Sequence, residues 1–164
     1  MKHYYLFKLR AVLLLFALLC SMPNVWADNS GTIEGYDITW NYISSTKTLT
    51  ISGTGEMPDF TQVECPWTDI SDIQTVIITT GITSIGKYCF YNLQQLSSVT
   101  IPNSVFNIYE RAFDNCTNLR SIVIPNCVKR IYGYAFGDCT QLTSVILSEN
   151  LERIEQNAFW NCSS

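Results

Sequence analysis

From Ile73 to Ser164 the chain repeats itself every 23 residues without an insertion, as Ile73–Gln95, Leu96–Asn118, Leu119–Gln141 and Leu142–Ser164. A unit this short cannot bury an apolar face alone, so the units must stack and share one continuous core. Each unit opens with apolar residues at its first, fourth and sixth places: Ile73, Val76, Ile78; Leu96, Val99, Ile101; Leu119, Ile122, Ile124; Leu142, Val145, Leu147. Apolar residues return at the tenth and thirteenth places, and "CF" or "AF" closes the unit, followed by a polar pair and, in three units, a cysteine. The opening run, "LSSVTIP" in the second unit, has the β-branched content and spacing of a short strand, and Pro102 or Pro125 ends its pairing. Strands laid down repeatedly in one direction pair in parallel, about 4.8 Å apart. The expected architecture is an α/β solenoid with one short parallel strand per repeat. A second short extended piece ("VFNI", "CVKRI") and a turn of helix around "RAFDNC" return the chain to the next strand.

Alternation along the repeated strand separates a buried set from an exposed one. If places one, four and six point inward, places two, three and five point out: Gln74, Thr75 and Ile77; Ser97, Ser98 and Thr100; Arg120, Ser121 and Val123; Thr143, Ser144 and Ile146. These twelve form a ladder of small polar groups interrupted by an apolar file at Ile77, Val123 and Ile146. That file is either a contact stripe or a set of singly exposed strand-forming residues.

The segment before the repeats reads as a cap. Ile38, Trp40 and Tyr42 alternate with polar residues, "SSTK" offers a turn, and Leu49 and Ile51 alternate again, which predicts a β-hairpin over the open end of the first repeat. A composition break supports the boundary: residues 28–72 hold eight acids against Lys47 alone, whereas residues 73–164 hold six of each sign. Residues 1–27 have the pattern of a secretory signal, with Lys2, Lys8 and Arg10 before the apolar run "AVLLLFALL" and small residues in "VWA" for cleavage after Ala27. Lipoprotein processing at Cys20 is the weaker alternative, because Leu19 is bulkier than the residue such a site prefers. The apolar run is shorter than the roughly 20 residues a membrane-spanning helix needs, so no transmembrane segment is expected in the mature chain, which should be secreted or held at the cell surface. The last unit ends at Ser164 where another leucine is due, so either further repeats follow or its edge meets a partner.

Cleavage leaves 14 acidic against 7 basic groups, a balance that argues against nucleic acid as a partner. His3, the only histidine, lies in the signal, so Ser–His–Asp and Cys–His nucleophiles and histidine-bearing zinc sites are ruled out of the mature chain. Glu152 and Glu155 read as a solvated face rather than a glycosidase pair, and the acids Asp59, Glu64, Asp69 and Asp72 lack calcium-loop spacing. No catalytic residue, metal ligand or cofactor is expected. Cys116, Cys139 and Cys162 share one repeat place and read as a buried column of free thiols; Cys65, Cys89 and Cys127 lie off it, and a disulfide among them stays open. Tyr91, Phe106, Tyr109, Tyr132 and Trp160, at variable places, read as cover for the core edge, with an aromatic platform for sugar rings as the sharper alternative.

The phrase "LSSVTIPNSVFNIYERAFDNCTN", with "LTSVILSENLERIEQNAFWNCSS" as a second copy, resembles the BspA-like, treponemal-type leucine-rich repeat, and "ITWNYISSTKTLTISGTGEMPDF" resembles the segment that precedes such arrays. The first unit departs from the pattern, with Cys89 in place of the alanine and Leu93 in place of the cysteine. The resemblance implies a non-catalytic bacterial surface protein whose partner is another protein, with adhesion to host or extracellular-matrix proteins as its role. A glycan-binding accessory module and a passive surface spacer are the alternatives.

Overall fold

The computed structural model describes residues 29–163; the expected signal segment, its expected cleavage site and the alternative at Cys20 lie outside them. Twelve strands follow one another: β1 (Asn29–Thr32), β2 (Ile38–Ile43), β3 (Thr48–Gly53), β4 (Gly55–Glu56), β5 (Thr75–Ile78), β6 (Ile82–Ile85), β7 (Ser98–Thr100), β8 (Asn107–Ile108), β9 (Ser121–Val123), β10 (Arg130–Ile131), β11 (Ser144–Ile146) and β12 (Arg153–Ile154). From β3 onward they coil into five turns, each laying one strand in each of two parallel ladders. The first ladder runs β3, β5, β7 and, beside it, β9 and β11; the second runs β4, β6, β8, β10 and β12. The registers preserve the 23-residue interval: Val76 faces Val99, Ile122 faces Val145, and Ile108 faces Ile131, which faces Ile154.

Two expectations are corrected. Each repeat carries two paired strands rather than one, because the second extended piece hydrogen-bonds to its counterparts in the neighbouring turns. The α/β description also fails: no helix occurs among the described residues, and the "RAFDNC" region is a run of turns. The backbone explains why. The sixteenth and twentieth places of every unit sit in the left-handed region, at Tyr88 and Asn92, Arg111 and Asn115, Tyr134 and Asp138, and Asn157 and Asn161, with φ between 49° and 63°. A left-handed residue every few positions prevents a right-handed helix from propagating. Asn and Asp at the twentieth place tolerate that conformation best. The broken turns direct their N–H groups to the next rung instead, as in Phe90 to Ala112 (2.8 Å), Phe113 to Ala135 (2.8 Å) and Phe136 to Ala158 (2.8 Å).

The core is a column of like residues. Trp67, Phe90, Phe113, Phe136 and Phe159 stack along the solenoid with ring centroids 5.7, 5.1, 5.2 and 5.2 Å apart and interplanar angles of 21°, 18°, 5° and 5°. Beside them Leu96 and Leu119 are fully buried and Leu142 nearly so, as successive members of one spine. Such burial removes apolar surface from water at about 25 cal/mol per Å², the main force holding the turns together. The cysteine column follows the rings: Cys116, Cys139 and Cys162 each donate a thiol hydrogen bond to the carbonyl of the preceding rung's phenylalanine, at 3.2, 3.3 and 3.2 Å.

At the N-terminal end β3 pairs antiparallel with β2 and parallel with β5, so one strand belongs both to the hairpin and to the solenoid. Lys47, at φ 52°, makes the tight turn between β2 and β3. Tyr42 donates its hydroxyl to Asp72 at 2.6 Å, fastening β2 to the segment that enters the first repeat. Trp67 donates Nε1–H to the Cys89 carbonyl at 2.8 Å while its ring covers Phe90. The departures of the first repeat follow from this contact with a non-repeat neighbour: the Cys89 thiol meets the Pro58 carbonyl at 3.4 Å, and Leu93 stands where later units carry a cysteine.

Candidate functional site: the solvent side of the first ladder

Strand alternation places the expected residues as follows. Thr75 is half-buried, and Gln74, Ile77, Ser97, Ser98, Thr100, Arg120, Ser121, Val123, Thr143, Ser144 and Ile146 are exposed. Eight of them alternate with Val76, Val99, Ile122 and Val145 along β5, β7, β9 and β11, and Gln74, Ser97, Arg120 and Thr143 immediately precede those strands. Pairing aligns them into files. One is made of hydroxyls, with Thr48 opposite Thr75, Thr75 opposite Ser98, and Ser121 opposite Ser144. Another runs Thr50, Ile77, Thr100 and then Val123, Ile146. In that second file Ile77, Val123 and Ile146 are 36%, 56% and 59% exposed, so β-branched apolar groups share with threonines a surface open to contact. The outermost file is tied to the backbone of the preceding rung: Ser97 donates to the Gln74 carbonyl and Thr143 to the Arg120 carbonyl, both at 3.2 Å.

β7 and β9 lie side by side without joining one hydrogen-bonded ladder, so a seam divides Thr100 from Val123. Sequence reasoning missed how far the surface extends toward the N-terminus. Ser30 pairs with Asn41, Asn41 with Thr50, and Thr50 with Ile77, which carries the polar file onto the hairpin. The signal for that continuity lay in Trp67, Ile70 and Ile73, which stand 23 residues before Phe90, Leu93 and Leu96.

The other candidate groups are placed less suggestively. Cys65, Cys89, Cys116, Cys127, Cys139 and Cys162 are all free. Burial is the main reason five of these thiols resist ionisation: it pushes Cys139 up to about 12 and raises Cys65, Cys89, Cys116 and the half-buried Cys162. Such thiols are poor nucleophiles. Glu152 pairs with Lys129 at 3.3 Å and Glu155 with Arg153 at 3.7 Å, surface ion pairs rather than an acid and base flanking a bond. No group of three or more metal-ligating side chains occurs among the described residues. No helix among them is long and apolar enough to cross a membrane. The five variable aromatics do not make one platform: Tyr91 packs on Tyr88, Trp160 on Tyr134, Phe106 stands exposed, and only Tyr109 and Tyr132 adjoin one another, with centroids 4.8 Å apart.

A stack of 23-residue turns with an exposed parallel ladder and an aromatic spine defines the leucine-rich repeat class, whose members are typically protein-interaction modules. The chain belongs to the BspA type leucine rich repeat region family, matched in six copies over residues 67–164. No curated protein matches it. Among solved structures, it is similar to a leucine-rich repeat protein from Eubacterium ventriosum (24% identity, TM-score 0.58), covering 81% of this chain and 45% of that one. It is also similar to the T. pallidum leucine-rich repeat protein (17% identity, TM-score 0.60), covering 80% of this chain and 68% of that one. A leucine-rich repeat protein from Bacteroides ovatus aligns at 20% identity and TM-score 0.50 over 80% of this chain and 45% of its own. The chain therefore spans less than half the length of two of these three, and at such identities the likeness is one of fold.

Proposed function

We propose that this is an exported, non-catalytic bacterial surface protein that binds another protein through the solvent side of the first ladder and serves in adhesion to host or extracellular-matrix proteins. Residues 1–27 act as a cleaved signal, residues 28–72 as the cap and residues 73–164 as the binding repeats. The observation that supports the reading best is the exposure of Ile77, Val123 and Ile146 at one repeat place among hydroxyls, on paired strands to either side of the seam. Interaction surfaces draw affinity from a few apolar anchors surrounded by polar groups that exclude water.

The test is an array of extracellular-matrix proteins and neutral glycans probed with the purified protein, followed by titration of any binder against Arg120→Ala and Val123→Ser. Protein binding that weakens at least about tenfold in the double variant is expected if this file contains the anchors. Unchanged affinity moves the contact to the solenoid edges or the cap. Binding to glycans alone makes the protein an accessory glycan module, and silence toward both makes it a spacer.

A further inference from the structure

On the flank away from the exposed ladder, a cleft of about 800 Å³ opens where the second ladder passes into the broken turns. Part of its lining is one repeated column. The fourteenth place carries Gly86, Tyr109, Tyr132 and Glu155 in successive repeats. Gly86 is required because a Cβ there would come within 2.0 Å of the Pro58 carbonyl oxygen, where the chain leaving β4 crosses the first repeat. The lining brings Tyr109 and Tyr132 of this column together with Glu56 of β4 and Asp59 of the chain that leaves it. Tyr36, 47% exposed in the turn between β1 and β2, also lines it.

The charge of this lining is one-sided. Glu56, Asp59, Glu110 and Glu155 face it against Lys87 alone. Lys87 pairs with Asp59 at 3.9 Å, and Arg153, from outside the lining, pairs with Glu155 at 3.7 Å. Glu56 and Glu110 make no ion pair within 4.0 Å among the described residues, although Glu110 attracts the Arg111 guanidinium at longer range. The negative field reaches the aromatic wall: burial raises the Tyr109 phenol first, with Glu56, Tyr132 and Asp59 adding to the rise and Arg130 opposing it. The same wall already stacks a cation on a ring, since the Arg111 guanidinium lies 4.5 Å from the centroid of Tyr134. Tyrosine faces and carboxylates together favour a cation over a neutral sugar, because both attract positive charge and a sugar brings none.

We propose that this cleft is a second binding site, which takes arginine or lysine side chains from a basic polypeptide segment, with Glu56 and Glu110 as the charge partners and Tyr109 and Tyr132 as the ring surfaces. It is independent of the exposed ladder. The test is calorimetric titration of the purified protein with an acetylated, amidated hexa-arginine peptide at about 0.15 M ionic strength, where the screening length is about 8 Å, and with a neutral oligosaccharide of similar length. Removing two charge contacts in Glu56→Gln/Glu110→Gln is expected to weaken peptide binding about tenfold or more. Tyr109→Leu/Tyr132→Leu, which keeps apolar volume and loses the ring faces, is expected to weaken it about fivefold. Glu64→Gln/Asp69→Asn, which removes the same charge elsewhere, and Val123→Ser should each leave it within about twofold, since distant surface charges are screened. Equal weakening by Glu64→Gln/Asp69→Asn would reduce the effect to overall acidity and overturn the site. So would absence of peptide binding by the wild-type protein, or occupation by the neutral oligosaccharide instead.

Discussion

Leu49 and Ile51, in the first turn of the solenoid, are 0% exposed, whereas Val145 and Leu147, at the matching places in the last turn, are 36% and 42% exposed. The residue types are equivalent, although Ile51 lies within β3 and Leu147 just past the end of β11. What differs is the company: the first turn lies between β2 and β5, while the last has a described neighbour on one side only. Phe113 is fully buried between Phe90 and Phe136, while Phe159 stacks on Phe136 alone and is half-buried. In a linear stack, a rung is finished by what lies on both sides of it. The hairpin supplies this at the N-terminal end with antiparallel pairing and the Trp67 ring, although it is not itself a repeat.

Substitutions at matched places can break that comparison. Trp67→Ala should have the largest effect, a loss of about 3–5 kcal/mol in chemical denaturation, because it removes a buried ring and leaves the Cys89 carbonyl without its donor. Phe159→Ala, at the same repeat place, should cost less than half as much; equal losses would mean that the two ends are closed equally well. One step smaller, Ile122→Ala should cost about 2–4 kcal/mol, and Val145→Ala, directly opposite it on the next rung, about 1 kcal/mol.

The thiol column sharpens the contrast chemically. Folded-state values for Cys116 and Cys139 are raised above the ordinary thiol value of 9.0, so the protonated thiols favour the fold fully below that value. As pH rises past it the unfolded chain loses protons first, and stability should decline, through about 12 for Cys139; melting temperatures across that alkaline range should show no decline below pH 9 from this source. Under native conditions iodoacetamide should label the half-buried Cys127 and Cys162 before Cys116 and Cys139, read by mass spectrometry of the peptides, and all six should react in denaturant. Labelling of Cys116 as fast as Cys162 would show that the interior opens as readily as the last turn. The smallest effect is expected on the exposed file, where Val123→Ser should change stability by no more than about 0.5 kcal/mol while testing the binding surface.

The spine was legible because the period of the repeat is also the period of its contacts: places one, four, six, ten and thirteen recur every 23 residues, and equivalent side chains must meet when turns stack. The exposed file at Ile77, Thr100, Val123 and Ile146 followed from strand alternation alone. The helix expected around "RAFDNC" was not legible as a turn, because Ala112 and Phe113 are acceptable in a helix and the obstruction is the left-handed backbone at Arg111 and Asn115. The strand β1 was hidden by its polar sequence "NSGT", which pairs by backbone alone. The cleft at Glu56 and Tyr109 joins residues 53 positions apart in sequence, and no local pattern announces it.

By itself, the sequence determined that the repeats stack, which side chains enter the core and which line the strand surface, since these depend on periodicity within and between identical units. Only the tertiary structure decided how the hairpin joins the first turn, where the backbone turns left-handed, and which tyrosines and carboxylates share a cleft. Those outcomes depend on contacts between unlike segments, for which the repeat supplies no rule.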